Sequence, residues 1–170
     1  EQTGGSRRLH FGKIIPERGS WIELEVTKKE NFQIKIDQTA RLSAITFLRA
    51  CSPELSSNAA LLAEFYAVGK RKADSVKMKE KIAAQYLAED LVDPATGELF
   101  LEAGAQISDE QAEAIIANGA WKSIKVLENV EDDIILNSIH DDPTRNHEDA
   151  LKRIYSRLRP GNPESLEKAR

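Results

Sequence analysis

Apolar and polar positions alternate most regularly near the start of the chain. Trp21-Ile22-Glu23-Leu24-Glu25-Val26 and Phe32-Gln33-Ile34-Lys35-Ile36-Asp37 both switch character at every residue, as half-buried strands do. The charged turn Thr27 to Asn31 joins them, so the two predict a hairpin. Alternation puts Trp21, Glu23 and Glu25 on one face of the first strand and Ile22, Leu24 and Val26 on the other. Leu9 to Ile15 predicts a shorter strand before it, closed by the turn Pro16-Glu17-Arg18-Gly19. Residues 1–8 are polar, carry the pair Gly4-Gly5, and predict a frayed end or a turn.

Helical spacing follows. Ser43 is placed to cap a helix through Phe47, Leu48 and Ala50. Ser52-Pro53-Glu54 opens another, with Leu55, Leu61, Leu62, Phe65 and Tyr66 on its apolar side. Lys70 to Lys81 is basic with Asp74 and Glu80 interleaved, which predicts a solvated helix start that Ile82 to Leu87 continues. The turn Asp93-Pro94-Ala95-Thr96-Gly97-Glu98, between Leu91-Val92 and Leu99-Phe100-Leu101, predicts a second hairpin. Ser108-Asp109-Glu110-Gln111 has the form of a capping box, and Asn118-Gly119 that of a helix stop. Trp121 to Leu127 predicts a strand and Asn129 to Ser138 a short helix. Asn146 to Leu158 predicts an amphipathic helix with Ala150, Leu151, Ile154, Tyr155 and Leu158 inward. Pro160-Gly161-Asn162-Pro163 ends it, and Glu164 to Arg170 opens a further helix. The expected fold is α+β. Hairpins and short helices from both ends, residues 1–51 and 129–170, form a base domain, and residues 52–128 form an inserted α/β subdomain.

Composition narrows the classes. The chain has 170 residues, 41% hydrophobic and 31% charged, in the range of a globular domain. It begins at Glu1 and its one methionine is Met78, the expectation for a processed chain or an excised piece of a longer one. No signal peptide opens it, and no apolar run reaches the ~18 residues of a membrane span. One cysteine, Cys51, excludes an internal disulfide framework and fits a reducing compartment. The net charge of −4 is unevenly spread. Residues 1–50 hold nine Lys/Arg against six Asp/Glu, residues 51–142 eight against eighteen, and residues 143–170 seven against four. Two basic ends flank an acidic middle. Packed together, such ends can face phosphates, while the middle is suited to solvent or protein partners.

No candidate for catalysis survives inspection. His140-Asp141-Asp142 with His147 resembles a metal cluster, but only His10 remains to complete it, and Asp142-Pro143-Thr144 reads equally as a helix-boundary turn. A small metal-dependent hydrolase using His140 and Asp141 is thus the remotest of three readings. No phosphate-binding glycine loop is present. Cys51 follows an apolar helix without a neighbouring His, as a small core residue would. Asp132-Asp133 and Glu89-Asp90 are adjacent acids, which do not share a face.

Two long segments carry a resemblance: Ile14-Ile15-Pro16-Glu17-Arg18-Gly19-Ser20-Trp21 with the strand after it, and the stretch from Asp141 to Ser165 that includes Arg157-Leu158-Arg159-Pro160-Gly161. Together they resemble the β subunit of bacterial DNA-directed RNA polymerase in its β lobe (lobe 2). Residues 5–50 and 130–170 match well, and residues 51–128 match less specifically. The resemblance implies a piece of a nucleotidyltransferase that carries no catalytic residue, no metal ligand and no cofactor of its own, with Mg2+ bound elsewhere in the parent. The implied role is to wall the DNA channel, positioning the non-template strand and the downstream duplex. The implied partners are DNA, other polymerase subunits and the sigma factor, in the bacterial cytoplasm at the nucleoid and away from membranes.

A Trp at a strand start is usually core. The resemblance instead places Trp21 against a base and lets Asp37 accept a hydrogen bond from a base edge. Where the family runs arginines after that Asp, this chain has Asp37-Gln38-Thr39-Ala40-Arg41-Leu42-Ser43, so Gln38 offers only hydrogen bonds and Arg41 is the clear cation. Arg159, held before Pro-Gly, is implied to face DNA, with Arg157 as a weaker contact. Arg159 could equally offset the negative end of its helix. Arg18 could contact DNA or brace its turn through carboxylates. A further alternative is that the acidic insert is a protein-interaction module for a transcription regulator or the sigma factor.

Overall fold

The computed structural model describes residues 2–4, 7–39 and 41–161. They form an α+β structure of two compact units. One comprises residues 1–57 and 132–170, and the other residues 58–131.

The first unit begins with strands that pair in sequence order. β1 (Gln2–Gly4) lies antiparallel to β2 (Arg7–Leu9), so the expected frayed end contains a short hairpin. β3 (Phe11–Ile14), β4 (Ile22–Val26), β5 (Phe32–Ile36) and β6 (Leu42–Ser43) then form a four-stranded antiparallel sheet in that order. The predicted hairpin is β4–β5. The register sets Lys13 opposite Glu23 and Glu23 opposite Lys35. One face of the sheet therefore carries a Lys–Glu–Lys row, with ion pairs of 2.9 and 4.0 Å. Such partly exposed, solvent-screened pairs add little stability and mainly reward this register over others. Ser43 caps α1 (Ala44–Cys51) as expected, its side chain accepting from the Ile45 amide.

Pro53–Leu55 is a separate single 3-10 turn, where one continuous helix was expected. The second unit opens with α2 (Asn58–Phe65), which buries Leu61 and Leu62 and leaves Phe65 exposed. The basic stretch is not a helix. Ala67–Lys72 is β7, and Val76–Met78 is a 3-10 turn. Only Lys79–Ile82 (α3) is helical, and Ala84 then turns with φ of 60°. Lys, Arg and Ala favour helix locally, but a complete antiparallel ladder with the later strand outweighs that preference. In that ladder Gly69 lies beside the Glu128 side chain, which would have to shift to admit a Cβ there. β8 (Leu91–Val92) and β9 (Leu99–Leu101) form the second predicted hairpin, with a register shift at Leu91/Val92. The capping box holds at the start of α4 (Asp109–Asn118), and Gly119 ends it with φ of 66°. β10 (Ser123–Glu128) pairs with β7 along its whole length. Ile82, Leu87, Ile107, Ile115, Trp121 and Val126 are among the residues of this unit's core.

The chain then returns to the first unit with α5 (Ile134–His140), which starts later than expected, and α6 (His147–Leu158), capped by Asn146. Of α6's apolar side, Ala150 and Leu151 are buried, while Leu158 is exposed. The further helix expected at Glu164 to Arg170 lies outside the described residues. Among the described residues no helix is long and apolar enough to cross a membrane.

The two chain ends of the first unit are tied by a buried ionic knot. Arg49 on α1 and Asp142 before α6 approach to 3.6 Å, with side chains 2% and 0% exposed. Thr46 donates to Asp142 at 2.7 Å, the Thr144 amide and hydroxyl both donate to the same carboxylate, and Arg49 donates to the Thr144 carbonyl. Burial lowers the Arg49 pKa, while the charges of Asp142 and Asp149 push it back up. Asn31 reaches Asp141 at 2.5 Å, and the Phe32 amide donates to Ser138 on α5 at 2.8 Å. Asp141 and Asp142 are thus spent on structure, while His140 is exposed. Cys51 ends α1 exposed, not in the core as expected, and partial burial raises its thiol pKa.

Candidate nucleic-acid interface

The loop ends of the β3–β4–β5 sheet build a small platform. Gly19, with φ of 125°, turns the chain where an L side chain would be strained, and Trp21 emerges just before β4. Across the hairpin, Asp37 follows β5 with φ of 50°, an uncommon conformation for a residue other than glycine. Two bonds hold it there. The Asp37 amide donates to the Trp21 carbonyl at 2.8 Å, and the Trp21 amide donates to Asp37 Oδ1 at 2.7 Å. The Ser20 hydroxyl also donates to this carboxylate. Ser20 first, then the Trp21 amide, holds the Asp37 pKa below the usual Asp value. Asp37 is exposed and keeps its charge, with further lone pairs available to accept from another donor.

Trp21 is 49% exposed, which departs from the usual core position of a Trp at a strand start. Lys13 lies over its ring, Nζ 4.4 Å from the centroid, and also pairs with Glu23. The Lys13 bond is the main cause of the lowered Glu23 pKa. A cation over an indole contributes about 0.5–1 kcal/mol at an exposed site. Here it steadies the ring and adds a positive charge beside it. The sequence reading missed Lys13. Its signal was the hairpin register, which sets Lys13 across from Glu23, two residues from Trp21 on the same face.

The remaining candidates differ in how they are held. Gln38 is exposed in the turn after Asp37. Arg41 grips the Glu25 carboxylate with both Nε and an Nη, so part of its charge is already offset. Arg18 is exposed in the Pro16–Gly19 bend and makes no ion pair among the described residues. Arg157 and Arg159 are exposed at the end of α6, where the Arg159 amide closes on the Tyr155 carbonyl and Gly161 turns with φ of 88°. The structure joins Trp21, Asp37 and Lys13 directly. Among the described residues no hydrogen bond or ion pair links Arg157 or Arg159 to them. The described residues contain no group of three or more His, Cys, Asp or Glu side chains able to hold a metal ion. An exposed indole, a fixed carboxylate and nearby cations can stack a base, read its N–H donors and meet a phosphate.

No family model matches the chain. Its whole length is 42% identical, over 174 aligned residues, to DNA-directed RNA polymerase subunit beta of Rhodopirellula baltica. The subunit beta of Protochlamydia amoebophila is 33% identical over 95% of the chain, and that of Chlorobaculum tepidum 31% over 96%. The chain spans only 14% of the first of these relatives and 13% of the other two.

Proposed function

The chain belongs to the β-subunit family of DNA-directed RNA polymerase, and from that premise we propose that it forms one wall of the parent's DNA channel. In this reading it is the β lobe, it acts in transcription in the bacterial cytoplasm, and it positions the non-template strand and the downstream duplex. The reaction proper, nucleotide transfer to RNA with magnesium, belongs to the rest of the parent. In this reading the donor set for that metal also lies in the rest of the parent, and no step at this piece runs through it.

The observation that carries the proposal is the exposed Trp21 fixed to Asp37 and overlain by Lys13. A buried Trp would have ended it. Trp21 stacks an unpaired base, a contact worth about 1–3 kcal/mol. Asp37 accepts from that base or its neighbour and so favours a base that presents N–H donors, such as guanine or cytosine. Arg159, Arg157, Arg18 and Arg41 supply phosphate contacts, and Gln38 a neutral hydrogen bond. Replacing Arg159 by Ala in the whole polymerase should lower the salt slope of open-complex stability by about one unit. An unchanged slope removes Arg159 from the interface.

A further inference from the structure

The β8–β9 hairpin of the second unit is built as a docking edge. It is a sheet of only two strands. Its β8 side is closed, because the buried Trp121 donates its indole N–H to the Val92 carbonyl at 2.9 Å. The outer side of β9 has no strand neighbour among the described residues. Val92, Leu99 and Phe100 are 41%, 49% and 39% exposed. Val92 pairs with Leu99 in the ladder, and Phe100 leans on Trp121 with ring centroids 5.4 Å apart. The paired Val92 and Leu99, with Phe100 next in the chain against Trp121, on a hairpin anchored to the core mark an interaction surface more than scattered exposure would.

The flanks indicate the partner. Glu98 and Glu102 bracket β9, both are exposed, and neither makes an ion pair among the described residues. The unit around them holds eight Lys/Arg against thirteen Asp/Glu. A second copy would bring the same acidic strand, and like charges across paired strands are destabilising. We propose that the β9 edge receives an extended segment of a partner protein in which apolar residues alternate with Lys or Arg, added as a third strand. Main-chain bonds would hold the segment, Val92, Leu99 and Phe100 would take its apolar residues, and Glu98 and Glu102 its charges.

The test uses the whole chain as bait and a randomised peptide library displayed on phage as probe. Enriched peptides should alternate apolar and basic residues. Their amide-shift footprint should centre on Leu99 to Glu102. Binding to the double variant Glu98→Lys, Glu102→Lys should weaken by about tenfold or more. Both substitutions fall on exposed, unpaired side chains, and an unchanged circular dichroism spectrum checks the fold. No enrichment, peptides without basic residues, equal binding to the double variant, or a footprint elsewhere would each overturn the proposal. The chain alone should sediment as a monomer. A dimer dispersed by Phe100→Lys would assign the edge to a second copy and overturn it as well. Neither experiment involves DNA, so failure here leaves the Trp21 reading standing.

Discussion

Asp37 is the residue whose surroundings most constrain what it can do. Its carboxylate pKa lies below the ordinary Asp value because Ser20 and the Trp21 amide both donate to it. A carboxyl group whose folded pKa is depressed adds stability above its unfolded pKa. That contribution is lost as pH falls through the lowered folded value. The turn should therefore keep its form at neutral pH and loosen only in acid. Carbon-detected NMR titration of the Asp37 carboxyl checks this. Its midpoint should lie below that of a free Asp and move up in Ser20→Ala, since the Ser20 hydroxyl is the larger cause. Arg49 and Asp142 make the opposite case, a pair sealed from water. Asp142→Ala leaves a buried guanidinium without its countercharge and should cost about 3–5 kcal/mol in denaturant unfolding, far more than loss of any surface pair.

The elements show what the pattern of the chain conveyed and what it did not. The β4–β5 hairpin, the Ser43 cap, the capping box at Ser108 and the Gly119 stop all depend on interactions within a few residues, and all stand where spacing placed them. Ser108→Ala should cost about 1 kcal/mol by removing one cap bond, measurable by thermal unfolding. β7 was illegible for the opposite reason. Four of its six residues, Ala67, Lys70, Arg71 and Lys72, favour helix locally, and β10, more than fifty residues later, supplies the ladder that makes them a strand. The Trp21–Asp37 turn was half legible. The alternating strands marked the hairpin, but alternation does not say which face of it is covered, so it left open whether the indole faced core or solvent. The Arg49–Asp142 knot was hidden because two residues far apart each had a plausible local use.

On the scale of the whole chain, both termini build one unit around the Arg49–Asp142 knot, and a continuous stretch between them builds another. The charge divides less sharply than the chain does. The unit with Trp21, where a nucleic acid is proposed, holds sixteen Lys/Arg against fifteen Asp/Glu. The unit with the β9 edge, where a basic protein segment is proposed, holds eight against thirteen. DNA affinity of the chain by itself should be low, because the proposed channel wall would make few contacts alone, and a gel-shift titration at physiological salt would check it. The most direct measurement of the central claim is made in the whole polymerase. A fluorescent adenine analogue is placed in turn at each non-template position of an open complex, with Trp21 intact or replaced by Ala. If Trp21 stacks an unpaired base, one position should be quenched in the intact enzyme and should brighten in Trp21→Ala, while the salt dependence of the complex stays nearly the same. If the replacement alters fluorescence at no position, Trp21 does not touch the strand and the proposed wall loses its reading element.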